Sequence, residues 1–110
     1  MANLADFVFL DSSSTVTTSN TFYVPYGASD VVLQVKDSGT PDVTVKAKVD
    51  RENGDFEAVG VIALSDYSTA DKIEANGIYL VPAAGLREMR VVNGNAAGSV
   101  VVFCSAVGEG

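Results

Sequence analysis

The chain contains no histidine and no tryptophan, a single cysteine, three prolines, and seven basic residues against fourteen acidic ones. Each shortage removes a class of function. Without histidine, neither a Ser-His-Asp nor a Cys-His relay can be assembled. The commonest zinc ligand is missing with it, and Cys104 alone cannot build a structural zinc site. A lone cysteine also excludes an internal disulfide and gives no sign of a cross-linked secreted scaffold. The cations Lys36, Lys46, Lys48, Lys72, Arg51, Arg87 and Arg90 are scattered, and only Lys46, Lys48 and Arg51 sit close in sequence, among Asp50, Glu52 and Asp55. With a net charge of −7, this distribution opposes both a nucleic-acid partner and an anionic membrane surface. It favours solubility and repulsion between copies. No apolar run approaches the roughly 18 residues of a membrane helix. Met1–Asp6 lacks the basic start and apolar stretch of a signal peptide. The expected product is therefore made and kept in a cytoplasm until it is assembled into something larger.

What is abundant points to strands. A chain of 110 residues fits a single domain, 1–110, with a self-supporting core. Valine leads the apolar set beside plentiful Thr, Ser and Gly. Such β-branched side chains suit a pleated ribbon and lose rotamer freedom in a helix. Turn signals recur about every 8–12 residues, the spacing of a sandwich or barrel.

Phe7–Leu10 reads as a first strand broken by Ser12–Thr15, and Thr15–Val24 reads as extended until Pro25. Val31–Lys36 is a second clear strand, with Leu33 and Val35 opposite Gln34 and Lys36. Val43, Val45, Ala47 and Val49 alternate with Thr44, Lys46, Lys48 and Asp50, one dry face against one wet face. Asn53-Gly54 then supplies the pair favoured in a two-residue reverse turn, which makes Phe56–Leu64 the returning partner. Asp66–Asn76 reads either as one helical turn capped by Ser68 or as a short edge strand at Lys72–Ala75. Ile78–Val81, Leu86–Val92 and Ser99–Val107 complete the set. The last is too apolar on both faces to be an uncovered edge. About eight strands result, predicting an all-β, two-sheet antiparallel sandwich of jelly-roll-like connectivity. Residues 1–6, with Phe7–Leu10, read either as an extended arm for a neighbour's sheet edge or, through Phe7 and Phe9, as part of the chain's own core.

Few residues carry chemistry. Cys104 alternates with Val102 and Ala106 and reads as a small buried hydrophobe. Asp50–Glu57 gathers oxygen ligands but lacks the spacing of a calcium loop. Gly85, Gly94 and Gly98 are turn glycines without a phosphate-binding context. Phe22, Phe56 and Phe103 fit core positions, and Tyr23, Tyr26, Tyr67 and Tyr79 read either as exposed rings able to meet a sugar or, more commonly for tyrosine, as half-buried rings with the hydroxyl at the rim. No carboxylate pair stands out. The chain is expected not to be an enzyme, with no catalytic, cofactor-binding or metal site.

From Val43 to Val107 the order of elements is specific enough to compare. It consists of the alternating strand, the Asn-Gly turn followed by Phe56, Ala75–Pro82, a short turn into Leu86–Val92, and a Gly98–Phe103 terminal run. This cadence resembles the small β-sandwich structural proteins of tailed bacteriophage virions, especially capsid decoration (cement) proteins and head or tail accessory proteins. The resemblance implies a virion location and binding to the major capsid protein or another virion protein. It also implies homo-oligomerisation, with a trimer favoured, and it brings no catalytic residues or cofactors. The alternative is a tail or fibre accessory domain, a carbohydrate-binding sandwich module.

Overall fold

Period-two alternation in the sequence becomes alternation in burial. In the computed structural model Val31, Leu33 and Val35 are fully buried, while Val32, Gln34 and Lys36 face away from the core. Val43, Val45 and Ala47 do the same against Thr44, Lys46 and Lys48. The structure describes residues 2–11, 17–50, 52, 54–94 and 100–108. Within them lie ten strands and no helix: β1 Ala2–Leu10, β2 Phe22–Tyr23, β3 Ala28–Lys36, β4 Val43–Lys48, β5 Glu57–Ala58, β6 Val61–Ala63, β7 Thr69–Ala70, β8 Gly77–Pro82, β9 Glu88–Asn93 and β10 Val101–Gly108.

The pairing shows how the chain is wound. β1 pairs with β10, β2 with β9, β3 with β8 and β4 with β5, all antiparallel, so the chain is doubled back on itself as one long ribbon. Two further pairings, β10 with β3 and β9 with β4, wrap that ribbon into two sheets. The sheet orders are β1-β10-β3-β8-β6-β7 and β2-β9-β4-β5. Without β6 and β7 this is the jelly roll expected from the sequence. The six-stranded sheet gains those two at its β8 side. Both inner faces are aliphatic, with Leu10, Leu33, Val35, Val45, Val61, Ile73, Val81, Met89, Val91 and Val102 fully buried between them.

Three local expectations need correction. The ribbon tip is not a two-residue hairpin, because that turn would set Ala47 opposite Gly60, whereas Ala47 faces Glu57 and Lys46 faces Ala58. Gly54 has a positive φ of 97°; Asn53 lies outside the described residues. Nor is Phe56–Leu64 one strand. It is split into β5 and β6, which belong to different sheets, and the chain crosses between layers at Val59-Gly60. The 66–76 stretch forms neither of the expected elements. Its short strand is β7, and Ile73 reaches back to exchange backbone hydrogen bonds with Val43 at 3.0 and 2.7 Å. Tyr67 there adopts φ 60°, within a turn where the Asp66 carboxylate accepts from the Ser68 N–H and hydroxyl at 3.0 and 2.7 Å.

At the start of the chain, residues 2–6 lie within β1, in register with β10 from Ala2 opposite Gly108 to Asp6 opposite Ser105. They lie against the chain's own sheet, and Met1 is outside the described residues. Register shifts at Leu4 and Phe9 mark bulges, and the second turns both Phe9 and Leu10 inward. β10, flanked by β1 and β3, is paired on both edges, in keeping with the expectation that it is not an uncovered edge strand. The expected features at Ser12–Thr15 and Gly98-Ser99 fall outside the described residues.

Candidate interaction surface

The inward-facing chemistry is quiet. Cys104 is buried, and that burial, reinforced by the Asp6 carboxylate and opposed by a backbone hydrogen bond at Phe7, pushes the thiol up to about 12. A thiol held protonated in this way is a poor nucleophile. Among the described residues, no three His, Cys, Asp or Glu side chains gather to hold a metal ion. In the 50–57 stretch, Asp50 Oδ1 accepts from the Glu52 N–H at 2.9 Å. No helix among the described residues is long and apolar enough to cross a membrane.

The aromatic rings divide differently from expectation. Phe22 is buried and closes the open side of the sandwich with Phe7 and Phe9, at ring-centroid distances of 5.2 and 6.1 Å. This is the own-core role foreseen for Phe7 and Phe9. Phe103 is not in the core, because Val102 and Cys104 take the inward positions of β10 and leave it on the outer face. Phe56 is likewise outside, beneath the cations of Lys48 and Arg90, which stand 5.1 and 4.2 Å from its ring centre. Tyr79 is buried. Its hydroxyl donates to the Ala75 carbonyl at 2.6 Å, and burial raises its pKa. Tyr23, Tyr26 and Tyr67 are the exposed rings.

The two outer faces differ in character. On the six-stranded sheet, register aligns Val8, Phe103, Gln34 and Ile78 in one row across β1, β10, β3 and β8. Asp6, Ser105, Val32, Leu80 and Ile62 form the next. Val8, Ile78 and Phe103 are exposed, and three shallow depressions all share Phe103. Charge stands at the margin of this band, in Asp30, Lys36 and Asp37. Asp6 is held by the Ser105 hydroxyl at 2.6 Å and the Asn3 amide at 3.2 Å, which lower its pKa. On the four-stranded sheet, Lys46 lies opposite Arg90 and Lys48 opposite Glu88. Cations that are distant in sequence thus form a basic face around Phe56, with the Lys48–Glu88 ion pair at 3.7 Å. Strand alternation already places Lys46, Lys48 and Arg90 on polar faces. Only the wrapping of β9 against β4 brings them together.

The sheet edges complete the surface. β2, β5 and β7 are two residues long each, whereas β1 runs for nine and contains no lysine or proline. Short edges resist pairing with other chains, and a long one invites it.

No protein-family model matches the chain, and no curated protein does. Solved structures are similar to it. The SPBc2 prophage-derived protein YomS superposes with a TM-score of 0.78 at 18% identity, over 93% of this chain and 90% of that one. The PBSX exported protein XepA superposes with a TM-score of 0.75 at 18% identity, again over 93% of this chain. The matched region spans only 37% of XepA, so this chain corresponds to one part of a longer protein. At this identity the likeness is one of architecture: the chain has the same sandwich fold as YomS and as a portion of XepA.

Proposed function

We propose that this chain is a phage-associated structural protein that acts by binding and not by catalysis, and that it decorates or cements the outside of a capsid. The observation that carries the reading is the near end-to-end match of its jelly roll to a prophage-derived protein. The outer face of the six-stranded sheet supports it, since Val8, Ile78 and Phe103 form an apolar band that the fold leaves uncovered. On this reading the partner is the major capsid protein or another virion protein. The chain assembles as a homo-oligomer, a trimer being favoured, so that modest contacts are multiplied over many shell sites. It is made in the host cytoplasm and ends in the virion.

The test is composition. Particles purified by density gradient from a producing strain should contain the chain in stoichiometric amount, and Phe103→Lys should release it into the soluble fraction. Particles free of the wild-type chain would refute the proposal. A second reading has one observation in its favour, the description of XepA as exported. A phage-encoded protein acting outside the cell would appear in the medium, unattached to particles, in the same experiment.

A further inference from the structure

One end of the sandwich gathers three connections: β2–β3 (residues 24–27), β8–β9 (83–87), and the start of β4–β5 (49–56). They are stitched together through main-chain atoms. The Val24 N–H donates to the Arg87 carbonyl and the Arg87 N–H to the Lys48 carbonyl, both at 2.9 Å. Within the β2–β3 turn the Ala28 N–H reaches the Pro25 carbonyl at 3.2 Å, and Gly27 supplies the positive φ of 89° that the turn requires. Two of the side chains presented there stand well clear of the core. Tyr26 is 93% exposed and Val49 66%. With Asp50 and Arg87 they line one shallow concavity.

We propose that this loop end, built from Tyr26, Val49, Asp50 and Arg87, is a binding site for pyranose sugars of a surface polysaccharide. The inference goes beyond the capsid-binding reading and does not depend on it. A pyranose ring offers an apolar C–H face and a rim of paired hydroxyls. The Tyr26 ring matches the first, with Val49 extending the apolar floor. Arg87, a forked donor, and Asp50, an acceptor oriented by the Glu52 N–H, match the second. The backbone stitching holds the loops in place before a ligand arrives, so little ordering entropy opposes binding. Other ligands fit poorly. One guanidinium beside a carboxylate is no phosphate track, and one carboxylate is no cation site.

The experiment is an NMR titration of the full chain, uniformly labelled, with glucose, galactose, N-acetylglucosamine and rhamnose in turn. Saturable shifts at Tyr26, Val49 and Arg87 with at least one sugar are expected. Tyr26→Ala should weaken that binding about tenfold or more, as removal of an anchoring ring does. Because Tyr26 lies outside the core, its spectrum should otherwise remain that of the folded chain. Arg87→Ala provides a second variant with the same expected direction. The proposal is overturned if none of the four sugars produces saturable shifts at the loop end, or if such shifts survive in Tyr26→Ala. Neither result bears on whether the chain is found in particles.

Discussion

Cys104 lies opposite Phe7 on one side and Leu33 on the other, in the inner face of the six-stranded sheet. Its thiol ionises near the ordinary 9.0 in the unfolded chain but near 12 in the folded one. Below pH 9.0 both states hold the proton and nothing is lost. As pH climbs from there toward about 12 the unfolded chain alone releases it, so the fold loses stability across that window. Tyr79, whose pKa is also raised, acts in the same sense. Urea midpoints measured on both sides of pH 9.0 should fall with alkalinity, and the slope should be shallower in Cys104→Ala. In native protein the thiol should resist a maleimide that labels it readily once unfolded. Tyr67 offers the opposite opportunity. Its φ of 60° is unfavourable for a bulky L residue, and its ring is exposed. Tyr67→Asn, a residue tolerant of that conformation, should stabilise the chain by about 1 kcal/mol in chemical denaturation.

Among the elements, Ile73 shows how a segment outside any strand can hold the sandwich. It is fully buried, and its two backbone bonds to Val43 tie the β7–β8 connection to the opposite sheet. Ile73→Ala should cost about 2–5 kcal/mol, the range for truncating a buried aliphatic side chain, as measured by equilibrium unfolding. Nothing near Ile73 in the sequence announces this role, because a single bridging residue has no periodicity. The strands β3 and β4 were legible because each hides one face, and that constraint writes itself into every second residue. The division between β5 and β6 was not. The run from Phe56 to Leu64 stays moderately apolar throughout, and only the approach of a second layer makes the chain change sheets at Gly60. Phe103 escapes the sequence pattern for a related reason. It sits in a strand apolar on both sides, so hydrophobicity alone could not tell the inward rows from the outward ones. The adjacent Val102–Cys104–Ala106 alternation could have. The basic face around Phe56 required the register of β4 with β9, a relation between segments far apart in the chain. Tyr26 was visible as a candidate, but its partners Asp50 and Arg87 come from two other loops.

For the molecule as a whole, the doubled ribbon means that the first strand completes its pairing only with the last. Contacts of that span must overcome loop-closure entropy before they stabilise anything. Folding should therefore be slow for the chain's size, in the range of roughly milliseconds to seconds for domains dominated by non-local pairing. Stopped-flow refolding checks this; a microsecond phase carrying the full amplitude would contradict it. The same winding separates the molecule into regions of distinct chemistry. One broad face is apolar around Phe103, the other is basic around Phe56, and a loop end carries Tyr26 and Arg87. Each can be altered without passing through the aliphatic interior, so their contributions to binding can be dissected one substitution at a time.

The apposition of Ala2 and Gly108 has a mechanical corollary. Tension applied at these two positions peels β1 away from β10 one rung at a time, like opening a zipper, instead of shearing many rungs together. The fold should yield to such a pull at low force. Any load the protein bears in an assembly is better carried across its broad sides than along its backbone.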